Sequence, residues 1–182
     1  MKIDKKYIFI GIVIAVILML GGCFASKYNS AITLEEKINN TLSDVSIQEK
    51  RRIDLILSLV EVVEQASTYE QDTLLLITEA RSSAETGNVD EALYNLGVVV
   101  ERYPELQAVD TYKELMNELS INENLIANHR KTVNTFVQEY RKFTRKFPNS
   151  LILNILGYNK IDYSYLEFTD TEMPDDLFGG NQ

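Results

Sequence analysis

Apolar residues recur at intervals of three and four over most of this chain, which is the spacing of one face of an α-helix. Only three prolines and eight glycines interrupt the 182 residues, and this scarcity favours long helices over a sheet. The pattern predicts four helices over 27–45, 47–85, 89–102 and 110–147, then a short one over 150–156. The predicted fold class is therefore all-α, an antiparallel four-helix bundle with long helices, preceded by an N-terminal membrane anchor.

Residues that cap or stop a helix set these boundaries. Ser46 is expected to cap the second helix, with Glu49 as its capping-box partner. Thr86-Gly87 ends that helix, Asn88 caps the third, and Tyr103-Pro104 stops the third. The second and fourth helices then have similar lengths, so we expect them to run antiparallel as the long pair of the bundle.

An uncharged apolar run begins at Tyr7, after Lys2, Lys5 and Lys6, and continues to Ala25. It is long enough to span a bilayer, and two interpretations stay open. It is either a retained transmembrane helix or a lipoprotein signal, in which Leu20-Gly21-Gly22-Cys23 is the lipobox and Cys23 is lipidated. Because the lysines precede the run, we expect a cell-membrane protein, single-pass or lipid-anchored, with its C-terminal domain on the extracytoplasmic side.

The chain divides on this basis into three parts. Residues 1–26 are the transmembrane anchor or lipoprotein signal, and residues 27–168 are the helical bundle. Residues 169–182 form an acidic tail that we expect to be flexible. The aromatic residues between the last helix and the tail are expected to pack back on the bundle; they are Tyr158, Tyr163, Tyr165 and Phe168.

Composition and charge argue against several classes of function. The formal net charge of −9 disfavours binding to nucleic acid, whose phosphates are themselves negative. A single Cys and a single His exclude an internal disulfide, a Cys-based zinc site and a His pair for a metal. We recognise no phosphate-binding loop or nucleophile motif. The sequence therefore predicts no catalytic residue, no cofactor, no metal and no small-molecule substrate.

Four charged residues fall on the apolar stripes. Glu70 and Arg81 belong to the stripe of the second predicted helix, and Glu123 and Arg130 to that of the fourth. An unpaired buried charge is costly, so we expect a structural polar network in which Glu70 faces Arg130 and Arg81 faces Glu123. The alternative is that all four side chains reach water, where each pair would contribute about 0–1 kcal/mol.

Lys50, Arg51 and Arg52 stand at the start of an uninterrupted apolar stripe. They are candidates for binding an anionic lipid headgroup or the carboxylates of a protein partner. The alternative is a set of helix-surface charges that pair with Glu49 and Asp54.

The chain resembles the LemA family of membrane-anchored helical proteins in an ordered series of short segments. The series runs through Tyr28-Asn29, Gln48–Val60, Glu70, Ala80-Arg81, Glu101–Ala108, Glu123, Ile126-Ala127, Arg130, Asn134, Phe147-Pro148, Gly157-Tyr158 and Pro174–Phe178. The resemblance covers nearly all of the chain beyond residue 27, and it implies a four-helix bundle without a known catalytic mechanism.

Two classes of function follow from this reading. The first is a membrane-anchored interaction or scaffold protein that contacts the lipid bilayer and a protein partner and has no catalytic activity of its own. The second is an accessory or regulatory subunit of a membrane enzyme such as a metalloprotease, because genes of such enzymes often accompany those of the resembling family.

Overall fold

The computed structural model describes residues 5–66 and 70–167. These residues form five α-helices and one 3₁₀ helix, and no strand occurs among them, in agreement with the predicted all-α class. The helices are α1 Lys5–Ala66, α2 Gln71–Glu85, α3 Val89–Arg102, α4 Asp110–Arg145 and α5 Asn149–Ile155, and the 3₁₀ helix Pro104–Ala108 lies between α3 and α4.

Helix α1 is continuous over 62 residues, so the predicted break and cap at Ser46 are wrong. The apolar run, the predicted helix 27–45 and the start of the second predicted helix are parts of one element. No Gly or Pro stands between Cys23 and Ala66, and Val45 is buried beside Ser46. Serine is only a moderately poor helix former, so packing of its neighbours outweighs its preference for a cap.

The second predicted helix, 47–85, is divided in the structure. Helix α1 ends at Ala66, and Glu70 has an extended backbone, with φ −81° and ψ 137°, directly before α2 begins. A straight helix over 47–85 would carry α2 away from the apolar part of α1. The division instead brings Ile77, Ala80 and Ala84 into one hydrophobic cluster with α1 side chains.

Most other predicted boundaries are confirmed within two residues, including α3, the end of α4 and α5. Gly87 and Gly157 follow α2 and α5 with φ of 81° and 67°, a left-handed conformation that glycine adopts without strain. Asn88 precedes α3 as expected, but its side chain donates to Glu91 (2.6 Å) and makes no capping bond to the backbone.

The chain separates into two compact units. The first unit is Met1–Leu42 with Lys131–Leu166, and the second unit is Ser43–Arg130 with Glu167–Gln182. Of their residues, only 5–66 and 70–167 are described. The predicted tail 169–182 and Phe168 lie outside the described residues.

In the second unit, one cluster of buried residues takes side chains from α1, α2, α3 and α4. Ile56, Leu59 and Val63 of α1 are at most 1% exposed, and Leu119 of α4 is also 1% exposed. The buried α1 positions lie three and four residues apart, so they form one stripe that packs against the other helices. This cluster provides the hydrophobic stabilisation of the second unit.

In the first unit, α1 and α4 pack through a second stripe. Ala31 and Ile38 of α1 are fully buried, as are Val133, Val137 and Tyr140 of α4 within 1%. Spacings of three, four and seven residues are typical of helices that pack side by side over a long distance. The hydroxyl of Thr144, the next position of this stripe, is satisfied by the backbone oxygen of Tyr140 at 3.0 Å.

The N-terminal part of α1 is apolar and exposed. The described residues include one helix that is long and apolar enough to cross a membrane, and its most apolar window has no buried residue. Leucine, isoleucine and valine between Ile8 and Leu20 expose between 41% and 70% of their surface. An apolar segment of this length that the described residues leave exposed fits a hydrocarbon environment.

Candidate functional site

Arg52 is the centre of an ion-pair cluster in the second unit. Its side chain is 15% exposed and its guanidinium pairs with Glu123 of α4, which is 27% exposed. Asp90, in the first turn of α3, lies 3.9 Å from the same guanidinium. The cluster therefore joins α1, α3 and α4 through a single arginine.

Two further polar contacts join α1 to α4 beside this cluster. Arg130 Nη2 donates to Glu49 Oε1 at 2.9 Å, and Asn122 Nδ2 donates to Gln48 Oε1 at 2.9 Å. Residue numbers rise along α1 from Glu49 to Arg52 as they fall along α4 from Arg130 to Glu123. This order means that the two helices run antiparallel within the second unit.

The heptad spacing explains why these charges stand in the contact. Stepping back from the buried Ile56 by alternate fours and threes gives Arg52, Glu49 and Val45 on α1. The same spacing on α4 passes from Leu119 through Glu123, Ile126 and Arg130 to Val133. Each half-buried charge on one stripe has a partner of opposite charge on the other stripe, which offsets its desolvation.

Burial raises the pKa of the Glu123 carboxyl, although Arg52 and then Arg130 act in the opposite direction. Asp90 adds a smaller increase because it is a second negative charge. Desolvation therefore outweighs the attraction of the arginines at this position. In this cluster, Arg52 compensates for a carboxylate that the fold has placed away from water.

The predicted polar network is wrong in its pairing. Glu123 and Arg130 do lie in the contact between helices, but their partners are Arg52 and Glu49. Arg81 pairs with Glu64 of α1 at 2.7 Å, where both side chains are more than a third exposed. Glu70 is exposed and precedes α2, because the helix that would have carried it inward ends at Ala66.

Of Lys50, Arg51 and Arg52, the structure engages two in ion pairs. Arg51 lies 3.7 Å from Glu118, with both side chains about half exposed, and Arg52 belongs to the ion-pair cluster. Lys50 is exposed. The three residues belong to the second unit, whereas the apolar run belongs to the first. Glu49, expected to balance these charges, pairs with Arg130 instead.

The first unit contains a tyrosine cluster around a single carboxylate. Tyr140 Oη donates to Glu35 Oε1 at 3.1 Å, and the Tyr158 hydroxyl donates to the same oxygen. The backbone N–H of Ile161 donates to Tyr140 Oη at 3.0 Å, and Tyr163 Oη donates to Asn39 Oδ1 at 3.3 Å. The cluster joins α1, α4 and the segment that follows α5.

This segment, residues 157–166, has no regular secondary structure, and side chains of α4 fix its other end. Asn134 accepts from the N–H of Leu166 at 2.8 Å and donates to its carbonyl at 2.9 Å, replacing a backbone partner on both sides. Arg141 donates to the carbonyl of Tyr163 and stacks under the ring of Tyr165 at 4.7 Å.

Of the aromatic residues expected to pack back, Tyr158 and Tyr163 do so. The Tyr158 ring meets Tyr28 edge-on at 5.6 Å, and the Tyr163 ring meets Tyr140 edge-on at 5.4 Å. Tyr165 is 46% exposed and covers Arg141 instead of a hydrophobic core. Glu35 is not among the residues predicted from the sequence, although it stands on the heptad stripe four residues after Ala31 and three before Ile38.

The hydroxyl groups of this cluster are expected to make the first unit sensitive to alkali. Burial raises the pKa of Tyr158 strongly, with smaller contributions from Glu35 and Tyr140, and burial also raises the pKa of Tyr140 and Tyr163. The unfolded chain releases these protons near pH 10.0, whereas the folded unit retains them. The stability that these hydroxyl groups contribute is therefore fully present below pH 10.0 and falls as the pH rises further.

An absorbance titration of tyrosinate, followed beside circular dichroism, measures this effect. We expect part of the tyrosine absorbance to change only together with loss of helix, and Tyr158→Phe to reduce that part. Titration of all ten tyrosines near pH 10.0 with the helix intact would contradict the prediction.

Neither cluster assembles a metal site. Within residues 5–66 and 70–167, no three His, Cys, Asp or Glu side chains come together in a way that could hold an ion. Cys23, the residue that would be lipidated under the lipoprotein interpretation, is exposed on α1 near the end of the apolar run. The contacts of the two clusters are hydrogen bonds and ion pairs that join α1 and α4 to each other and to neighbouring segments.

The family model described as "LemA family" matches residues 41–176, about three quarters of the chain. This chain belongs to the LemA family. The matched range includes all of the ion-pair cluster of this LemA-family chain. It also includes Tyr140, Tyr158 and Asn134, but it begins after Glu35, the carboxylate at the centre of the tyrosine cluster.

Individual relatives are similar over parts of their length. A stretch of 77 residues is 36% identical to the magnetosome protein MamQ 2 of Paramagnetospirillum magneticum, and 34% identical to the magnetosome protein MamQ of Magnetospirillum gryphiswaldense. These matches cover 42% of this chain and 28% of each relative. The protein LemA of Metamycoplasma hominis is 25% identical over 134 residues, covering 67% of this chain and 61% of that protein.

Proposed function

We propose that this protein is a membrane-anchored helical scaffold, which presents an interaction surface to a protein partner and has no catalytic activity of its own. The observation that carries the proposal is the continuity of α1. A single helix contains both the exposed apolar run and the stripes that pack the two units. Because the anchor and the packed stripes belong to the same helix, no flexible linker separates them.

We propose further that the helices form an antiparallel four-helix bundle. The shared hydrophobic cluster of α1 to α4 and the antiparallel order of the ion pairs in the second unit support this arrangement. On this proposal, residues 1–26 are the anchor, residues 27–168 the bundle and residues 169–182 an acidic tail. Protection of residues 110–145 from amide exchange tests it, since a helix outside the bundle would exchange throughout.

Membrane attachment has a direct test. We expect the full chain in the membrane fraction, resistant to alkaline extraction, and a chain without residues 1–26 in the soluble fraction with its helix content retained. A full chain recovered as a soluble protein would contradict the proposal. The apolar and exposed surface of the run between Ile8 and Leu20 is the physical reason for the expectation.

Cys23→Ser distinguishes the two forms of the anchor. We propose the retained helix, and expect this variant to stay in the membrane with its N-terminus intact. If the wild-type chain is instead cleaved before Cys23 and carries a lipid mass that Cys23→Ser lacks, the anchor is a lipid and the retained helix is wrong.

We propose that the units lie on the extracytoplasmic side, and the lysines before the run support this orientation. A cysteine introduced at Ile121 in the Cys23→Ser background reports on this side, because Ile121 is 53% exposed. A membrane-impermeant maleimide is expected to label it in intact cells. Labelling only after the cells are opened would reverse the orientation.

The second candidate function is an accessory subunit of a membrane enzyme such as a metalloprotease. Ile121 and Leu125 favour it, since they are one turn apart on α4 and 53% and 39% exposed, which leaves an apolar pair that a partner could cover. Affinity purification from detergent-solubilised membranes, with and without Ile121→Asp, separates the two functions. Loss of one membrane enzyme with that variant would favour the accessory role.

A further inference from the structure

We propose that the first unit carries a second membrane contact, formed by the end of α4 and by α5, which docks on the anionic surface of the bilayer that α1 enters. This contact, here the basal surface, consists of Lys142, Arg145, Lys146, Phe147, Leu151 and Ile155. The inference rests on the proposed membrane anchoring of α1.

The position of the basal surface follows from contacts within the first unit. Lys37 of α1 lies over the ring of Phe136, and Glu35 contacts Tyr140, so α4 runs toward the apolar run as its residue numbers rise. At about 1.5 Å per residue, the end of α4 at Arg145 lies roughly 8 Å beyond Tyr140 in that direction, and Phe147 follows two residues later. The uncharged run of α1 ends at Ser26, roughly 13 Å beyond Glu35, so the end of α4 approaches that boundary from the polar side.

A direct contact shows where the chain just after α5 lies relative to the apolar run of α1. Tyr158 follows α5 by three residues, and its ring lies 5.6 Å from the ring of Tyr28. Tyr28 is the second residue after the uncharged run of α1. The beginning of the segment after α5 is therefore at the boundary between the apolar run and the polar part of the chain, where lipid headgroups would lie.

The charge of this region is opposite to that of the whole chain. Residues 142–161 contain four basic side chains and no acidic one, in a chain of net charge −9. Lys142, Arg145 and Lys146 are exposed, and with Arg141 and Tyr165 they line one groove. One carboxylate, Asp162, pairs with Arg141 of this groove at 3.6 Å. Lysines and arginines close to an anionic leaflet are attracted by about 1 kcal/mol each.

Apolar side chains accompany these charges. Phe147 is 81% exposed, Leu151 52% and Ile155 62%, whereas Ile152 and Leu153 between them are buried. Helix α5 thus has one face in the unit and one apolar face outside it. Aromatic and aliphatic side chains beside lysine and arginine match the interface of a bilayer, where the charged ends reach headgroups and the apolar parts enter below them.

A bilayer is favoured as the occupant because α1 already holds the basal surface next to one. A tethered surface meets its target at a high effective concentration, so a contact of modest intrinsic affinity suffices. The trio Lys50, Arg51 and Arg52 lacks this setting, since it belongs to the other unit and two of its charges are engaged in ion pairs.

The chain contains no tryptophan, so a single introduced tryptophan reports on its surroundings. The test uses the full chain in nanodiscs of phosphatidylcholine brominated along its acyl chains, with or without phosphatidylglycerol. Phe147→Trp and Ile155→Trp are the reporters of the basal surface. Ile121→Trp in the second unit is the matched exposed control, and Leu18→Trp in the apolar run reports on the anchor.

We expect bromine to quench Phe147→Trp and Ile155→Trp, with blue-shifted emission, and to leave Ile121→Trp unchanged. Quenching is expected to increase with phosphatidylglycerol. Replacing Arg145 and Lys146 with Gln is expected to lower the ratio of docked to undocked protein about fivefold for each charge removed. Unchanged circular dichroism of every variant checks that the fold is intact.

The other outcomes separate the two proposals. If Leu18→Trp is not quenched, the anchoring itself fails. If it is quenched while Phe147→Trp and Ile155→Trp behave as Ile121→Trp does, the anchor stands and the basal contact is overturned. Protection that requires two protein copies per nanodisc, or that is indifferent to lipid charge, also overturns the contact, in favour of a second copy or of a purely apolar interaction.

Discussion

Replacing Arg52 with leucine is expected to lower the free energy of unfolding by about 2–3 kcal/mol. The substitution leaves the Glu123 carboxylate half-buried, with Asp90, another negative charge, close to the position of the lost guanidinium. Arg130 remains near Glu123 but its own partner is Glu49. Urea unfolding of the detergent-solubilised chain, followed by circular dichroism, measures the change.

Glu123→Gln is the informative companion to this variant. It removes the group that pays the desolvation cost, and Arg52 keeps Asp90, so we expect a loss below about 1 kcal/mol. Arg81→Leu is the matched control, because its pair with Glu64 is exposed and contributes about 0–1 kcal/mol. Equal losses for Arg52→Leu and Arg81→Leu would show that the ion-pair cluster gives no more stability than a surface pair.

The same carboxyl sets the sign of a pH effect. Burial raises the pKa of Glu123 above its ordinary value of 4.5, so the folded state binds this proton more tightly than the unfolded state does. Its contribution to stability is greatest below pH 4.5 and declines as the pH rises through the raised pKa. Glu123→Gln is therefore expected to flatten the slope of stability against pH in that range.

The second large effect is expected at Tyr140. Tyr140→Ala removes a side chain that is 1% exposed from the contact of α1 with α4, and we expect a loss of about 3–5 kcal/mol from the cavity that remains. Tyr140→Phe keeps the ring but removes the hydroxyl that accepts from Ile161 and donates to Glu35. Its expected cost is about 1–2 kcal/mol.

Amide exchange and limited proteolysis of residues 157–166 separate two roles of Tyr140. Its ring packs between α1 and α4, and its hydroxyl has a fastening role, in which it holds this segment by a hydrogen bond. Tyr140→Phe is expected to increase exchange and cleavage around Ile161 while α4 stays protected, because the N–H of Ile161 loses its hydrogen bond to the Tyr140 hydroxyl. Tyr163→Phe is the control, since its hydrogen bond to Asn39 is exposed and its loss should cost under about 0.5 kcal/mol. A Tyr140→Phe variant with unchanged exchange in the segment would contradict the fastening role.

The helical class and most helix ends could be predicted because they depend on local chemistry. The stop at Tyr103-Pro104, the left-handed glycines Gly87 and Gly157, and the span of α3 all follow from residues next to one another. The membrane-like run at the N-terminus follows from its length and the absence of charge. The helical spacing of α4 also predicts that Glu123 and Arg130 lie on its packed stripe, and both pair with α1 there.

The partners of Glu123 and Arg130 could be identified only from the tertiary structure. The apolar stripe after Ile56 continues at helical spacing past Ala66 to Glu70 and Arg81, and equally well backward to Arg52 and Glu49. Spacing alone treats the two directions alike. The end of α1 at Ala66 decides between them, and that end depends on α2 packing beside α3 and α1, which no local signal encodes.

The sequence by itself determined that this protein is helical, that its N-terminal run suits a membrane, and that charged residues lie on the apolar stripe of α4. Each of these properties depends on composition or on neighbours within one helix. Only the tertiary structure decided that Glu49 pairs with Arg130 and Arg52 with Glu123. It also decided that Glu35 accepts hydrogen bonds from a tyrosine of α4 and from one in the segment after α5. These contacts join residues more than 70 positions apart, and their free energies depend on which surfaces the packed helices bury together.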